Sequence, residues 1–172
     1  MRREQLTNPY IVSLLERGFE FTEDWFTSRI DPLERYVKQL LSNKAGTRVM
    51  EIGSFEGLSA TWWLENVLTH RDNELHCVDI WAEPHRKERF EKNVIRTGAA
   101  HKVKRYHSDS WNACRKMEGK FDMLYVDGCH YAHTPMMEAC LMWPLIKRGG
   151  FVVFDDYTRE HPTEKERLEV PS

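Results

Sequence analysis

The stretch Val49–Gly57 reads VMEIGSFEG and runs directly into LSATWWLENVL. A short apolar run ends in an acid, glycines frame a tight loop, and a helix-like segment follows. A buried parallel strand delivers its C-terminal end to a ligand in this way. Glycine lets the backbone approach closely, and the next helix offers unpaired N–H groups. Ser54, Phe55 and Glu56 stand between Gly53 and Gly57, which is not the G-x-G-x-x-G fingerprint of dinucleotide folds. The acidic Glu51 would also sit badly beside a pyrophosphate. The loop therefore suggests a nucleoside ligand that carries a positive charge.

Outward from this loop the chain alternates strand and helix. Strands are expected near Thr47–Ile52, Glu74–Ile80, Lys102–His107, Phe121–Val126 and Phe151–Phe154. Helices are expected near Leu58–Leu68, Glu83–Arg96, Trp111–Met117 and Pro135–Ile146. Gly98 should stop the second of these, and Gly149-Gly150 should separate the last from its strand. Pro144 predicts a kink or early end near Trp143. Ahead of the alternation lies a helix near Asn8–Phe19, then an irregular segment, FEFTEDWFTSRI. Asp31-Pro32-Leu33-Glu34 offers an acid cap, a first-turn proline and a capping-box glutamate, so a helix should run from there to about Leu41. The organisation is a helical segment over 1–45, an α/β domain over 46–157 and a charged tail over 158–172. The fold class is α/β: a doubly wound, Rossmann-like parallel sheet with helices on both faces and right-handed crossovers.

Composition narrows the partners. At 172 residues and 41% hydrophobic content the chain can bury a substantial core. A net charge of −2 gives no basic field for nucleic acid or anionic lipid, and no apolar run is long enough to span a bilayer. Arg2-Arg3 is not followed by an apolar stretch and reads as an ordinary charged terminus. Cys77, Cys114, Cys129 and Cys140 form no C-x-x-C pair; Cys77 falls in a strand and Cys140 in a helix, where buried thiols are common. A reduced, cytoplasmic setting is expected.

Each expected strand ends in polar chemistry: Glu51, then Asp79, then Ser108-Asp109-Ser110, then Asp127-Gly128-Cys129-His130, then Asp155-Asp156. Ligands of open α/β sheets lie beyond these strand ends, whereas a single acid there often only caps the next helix. Asp79 stands where an acid could hold ribose hydroxyls, or could cap the following helix. Ser108, Asp109, Ser110 and Trp111 could meet an adenine, although Trp111 could equally pack helix to sheet. If the fourth and fifth strands are neighbours, the carboxylates of Asp127, Asp155 and Asp156 converge. Close carboxylates call for a divalent cation, Mg²⁺ or Mn²⁺ by the hardness of oxygen ligands, unless they are solvated loop acids. His130, three residues after Asp127, is a candidate general base with His133 as a rival. The remaining histidines read as ordinary polar residues, and Met136, Met137, Met142 and Trp143 as helix core.

The runs VMEIGSFEGLSA, HCVDIW, FDMLYVDGCH and GGFVVFDDY, in this order and spacing, resemble the class I S-adenosylmethionine-dependent methyltransferases. More narrowly they resemble the metal-dependent O-methyltransferases of the catechol and macrolide-sugar types, over about Thr47–Tyr157. The resemblance implies a sheet of order 3-2-1-4-5, S-adenosylmethionine as cofactor and methyl transfer to a hydroxyl of a small molecule or sugar. It places Glu51, Gly53, Ser54, Phe55 and Gly57 in the methionine-side loop, with Ser59 reaching the amino-acid carboxylate. Asp79 would hold the ribose, while Asp109, Ser110 and Trp111 would border the adenine. Asp127, Asp155 and Asp156 would take the metal, and His130 with Asp127 the catalytic positions. Two closing strands usual in the family are not expected after Tyr157, which would leave Phe151–Phe154 on an open edge and invite self-association. The alternatives are a non-catalytic, methyltransferase-like binding subunit and a nucleotide-dependent oxidoreductase.

Overall fold

The computed structural model describes residues 8–131 and 133–156; the expected tail over 158–172 lies outside the described residues. Helix α1 spans Pro9–Glu16, with Asn8 accepting from the Tyr10 amide at 2.9 Å and Pro9 in its first turn. A short 3₁₀ turn, Thr27–Arg29, leads into continuous helix: α2 (Ile30–Leu33), a π-helical stretch (Glu34–Lys38) and α3 (Gln39–Leu41). Asp31 therefore lies inside the first turn and does not cap it, because the preceding 3₁₀ turn already carries the chain into helical geometry.

From there strand and helix alternate: β1 (Arg48–Ile52), α4 (Leu58–Asn66), β2 (Glu74–Asp79), α5 (Pro84–Arg96), β3 (Val103–His107), α6 (Ser110–Lys116), β4 (Phe121–Val126), α7 (His133–Met142) and β5 (Ile146–Phe154). The sheet has order β3-β2-β1-β4-β5 and every pairing is parallel. Order reverses beside β1, so β1 and β4 diverge to their helices at the switch point where such sheets bind ligands. α7 ends at Met142, where Pro144 falls in a 3₁₀ turn. Gly149-Gly150 consequently lies within β5 instead of separating helix from strand. The early helix stop frees Ile146–Gly150 to pair, with a register irregularity opposite Phe121 and Met123.

Side-chain alternation along the strands divides the core in two. Val49, Leu75, Cys77, Met123 and Tyr125 face one layer, where α1, the segment after it, α4 and α5 bury Ile11, Leu14, Phe26, Trp62, Trp63 and Phe90. Met50, Ile52, Val78, Leu124 and Val126 face the other, against Ala113 and Cys114 of α6 and Met142 of α7. Burial on both faces explains why β1 and β4 read as near-continuous apolar runs. Met142 is buried as expected, but Met136 (66% exposed) and Trp143 (70%) are not core. The short α7 turns only part of its surface inward. Cys140 likewise is exposed, while Cys77 is buried, and all four cysteines are free.

Candidate active site

The C-terminal ends of the strands open onto a cavity of about 900 Å³. Its floor begins at Gly53, whose φ of +91° is open to glycine alone in practice. A Cβ there would lie 2.1 Å from the Asp127 carbonyl oxygen. The absence of a side chain is what lets the end of β1 meet the turn after β4. Phe55 and Trp81 also hold positive φ, at +44° and +36°. They belong to neighbouring loops, joined by a 2.7 Å hydrogen bond from the Trp81 indole to the Phe55 carbonyl. Non-glycine residues in this region store strain and persist where their surroundings over-determine them.

Asp79 does much of that determining. Its Oδ2 accepts from the Phe55 amide at 2.8 Å and its Oδ1 from the Trp81 amide at 2.7 Å. The N-cap position of α5 belongs to Glu83, so the capping alternative for Asp79 is corrected. A carboxylate has about four lone-pair sites, which leaves Asp79, on the cavity wall, able to accept from a ligand as well.

The expected metal trio does converge: ligand atoms from Asp127, Asp155 and Asp156 all lie within 4.8 Å of one another. Burial, the neighbouring Asp155 and then Glu51 raise the Asp127 pKa from 3.8 to about 8. His130 faces the same group, its Nδ1 lying 2.9 Å from Asp156 Oδ2. Exposed His133 stacks on Tyr131 instead, and it is not on the cavity wall.

The remaining expected residues divide. Ser54, Phe55, Ser59, Asp109 and Ser110 line the cavity. Asp109 also caps α6, accepting from the Asn112 amide at 2.8 Å, which lowers its pKa. Glu51 does not reach the cavity wall. It is fully buried beneath, accepting from the Trp63 indole at 3.1 Å, and burial raises its pKa. Gly57 serves as the left-handed N-cap of α4. Trp111 turns outward, 44% exposed, with the Arg115 guanidinium over its ring, and is not among the described residues that line the cavity.

Several contributors had no signal in the local sequence. Arg29 Nε donates to Asp155 Oδ1 at 2.8 Å, and its Nη2 lies 3.5 Å from Asp156. The Tyr125 hydroxyl donates to the same Asp155 oxygen at 2.7 Å. Trp25 packs at a tilt against Phe55, ring centroids 4.9 Å apart, with Arg86 on that ring as well. Glu56, 1% exposed, accepts from the Thr22 amide at 2.6 Å and from Arg89 at 2.8 Å, tying the N-terminal segment and α5 to the loop after β1. None of these partners is near in sequence to what it touches.

Glu138 is the buried acid that sequence reading passed over. It is 0% exposed on the cavity side of α7, and neither carboxyl oxygen makes a well-formed hydrogen bond among the described residues. Burial raises its pKa, which the Ser110 hydroxyl offsets only in part. A raised folded-state pKa stabilises below the ordinary value near 4.5 and loses that stability as pH rises through the folded value. Glu138→Gln should therefore stabilise the fold at pH 8 by on the order of 1–2 kcal/mol, seen as a higher melting temperature. The gain should shrink toward pH 4.5. Thermal unfolding at the two pH values checks this, and a gain independent of pH would refute it.

A parallel sheet of this order, with a glycine loop after its first strand and acids at the strand ends, defines the fold of the class I S-adenosylmethionine-dependent methyltransferases. The methyltransferase-domain family matches residues 50–157, and the chain belongs to that family. The oxidoreductase alternative is thereby set aside. An uncharacterised protein of Acanthamoeba polyphaga mimivirus is 27% identical over 115 residues, 63% of this chain and 50% of the relative. The chain thus spans about half the length of that curated relative. Among solved structures, a proposed O-methyltransferase from Klebsiella pneumoniae is similar with a TM-score of 0.63 at 14% identity, over 94% of this chain and 74% of its own. An S-adenosylhomocysteine-bound methyltransferase from Podospora anserina gives 0.57 at 21%, over 64% and 46%. A Geobacter sulfurreducens methyltransferase in complex with S-adenosylhomocysteine gives 0.56 at 16%, over 86% and 55%. No helix among the described residues is long and apolar enough to cross a membrane.

Proposed function

We propose that the chain transfers a methyl group from S-adenosylmethionine to a hydroxyl oxygen of a small molecule or sugar, assisted by Mg²⁺ or Mn²⁺. The observation that carries this reading is the convergence of Asp127, Asp155, Asp156 and His130 on the cavity that also holds the Gly53 loop and Asp79. Asp79, already oriented by two amides, would accept from the ribose diol. The first turn of α4 has no side-chain cap, so its free N–H groups suit the methionine carboxylate. Ser59 lies beside them on the cavity wall.

The trio fits a divalent cation on its own electrostatics. Even with Arg29 present, Asp127 holds its proton to about 8, so the cluster carries surplus negative charge. Asp127, Asp155 and Asp156 would hold the ion; when bound, it would lower the proton affinity of an acceptor hydroxyl. His130 Nδ1 is engaged by Asp156, which leaves Nε2 to take the acceptor proton. S-adenosylmethionine, when bound, would supply the methyl group for in-line transfer from its sulfonium to the acceptor oxygen and would leave as S-adenosylhomocysteine. Positioning supplies most of the rate of such a displacement.

Calorimetry with S-adenosylhomocysteine tests the cofactor. The chain should bind it, and Asp79→Ala should weaken binding by roughly 10- to 100-fold through lost charged hydrogen bonds. Circular dichroism would confirm that the variant is folded. A folded chain with no affinity for the methionine or homocysteine form would sink the proposal.

A further inference from the structure

We infer that Arg29 is a resident cation that competes with the divalent metal for the Asp155–Asp156 end of the site. This rests on the reading of Asp127, Asp155 and Asp156 as metal ligands. The guanidinium uses Nε on Asp155 Oδ1 at 2.8 Å and Nη2 on Asp156 Oδ1 at 3.5 Å. These acids belong to the trio whose ligand atoms lie within 4.8 Å of one another. A monovalent group and a dication cannot both sit against those oxygens without strong repulsion at that range. Arg29 neutralises the acids while the metal is away and must yield when it arrives.

The backbone under Arg29 is held fast, so the yielding is done by the side chain. The 3₁₀ turn Thr27–Arg29 follows Phe26, which is 3% exposed and packs on Trp62 at 5.8 Å and Tyr125 at 6.4 Å. Asp24 also accepts from the Thr27 amide at 2.9 Å. The Arg29 side chain, by contrast, is 38% exposed and has several rotatable bonds with open cavity beside it. Swinging the guanidinium into the cavity frees Asp155 Oδ1, which keeps its 2.7 Å hydrogen bond from the Tyr125 hydroxyl. That bond holds the carboxylate in place during the exchange.

The test is Mn²⁺ binding to the full chain, followed by electron paramagnetic resonance at fixed pH without cofactor or acceptor. Arg29→Gln keeps much of the side chain and removes the charge; it should bind Mn²⁺ at least about tenfold more tightly than wild type. Arg29→Lys keeps the charge and should stay close to wild type, which separates charge from shape. In wild-type protein the Arg29 Nε–H resonance, assigned by its loss in Arg29→Lys, should shift as Mg²⁺ is added. If wild type binds Mn²⁺ and Arg29→Gln binds it equally or more weakly, the competition is wrong while the metal site stands. If neither protein binds Mn²⁺, the metal reading and this inference fall together.

Discussion

Gly53→Ala is expected to abolish S-adenosylhomocysteine binding and to destabilise the fold by roughly 3–5 kcal/mol. Two independent costs meet at this position. The φ of +91° is unfavourable for any residue with a Cβ. The added carbon would also fall 2.1 Å from the Asp127 carbonyl oxygen and 2.7 Å from the Gly128 Cα. Both neighbours are backbone, so neither can rotate away. Relief requires the ends of β1 and β4 to part, breaking the 2.9 Å bond from the Asp127 amide to the Ile52 carbonyl. Gly98→Ala is the matched control: it too has positive φ, +72°, but nothing lies within 4 Å of its added carbon. It should cost only about 1 kcal/mol. Denaturant unfolding of both variants makes the comparison, and equal costs would show that the close approach is unimportant.

His130→Ala should lower kcat by roughly 10²- to 10⁴-fold, with S-adenosylhomocysteine affinity nearly unchanged. The histidine lies at the trio and away from Asp79, so the nucleoside end of the cavity does not depend on it. Its contact with Asp156 raises a second possibility that the measurement must separate. If excess Mn²⁺ restores the rate, His130 acts by positioning Asp156. If the rate stays low at saturating metal, His130 handles the proton itself. Full kcat in the variant would place the base elsewhere.

The sheet was legible because a strand buried on both faces must be apolar, and because glycine and proline punctuate its connections. That made β4 readable to the residue and gave β1 to within one. Failures came where a local signal met a stronger neighbour. The Asp31-Pro32 capping pattern was overridden by a 3₁₀ turn already in place before it. The Gly149-Gly150 break was overridden by pairing with β4. At the site, strand-end acids were visible because their position in the chain fixes their place in the fold. Arg29, Tyr125, Trp25 and Glu56 were not, since each acts through a partner supplied by another element. Glu51 lies beneath the wall because alternation along β1 sends it to the same side as Val49, into the layer of Trp63 and Cys77.

The strand order carries a consequence for how the molecule is made. β1, β2 and β3 are neighbours in both sequence and sheet, so three of the five strands can assemble as soon as residues up to His107 are available. β1 must then wait for β4, whose residues 121–126 arrive long after its own 48–52. During synthesis at about 5–20 residues per second, Val49–Ile52 is left as a bare parallel edge for several seconds. The centre of the finished sheet is thus its most vulnerable border on the ribosome, and pairing across so long a loop is intrinsically slow. The site also draws on Asp155 and Asp156 after β5, so a nascent chain has no complete cavity until β4 and then β5 have joined.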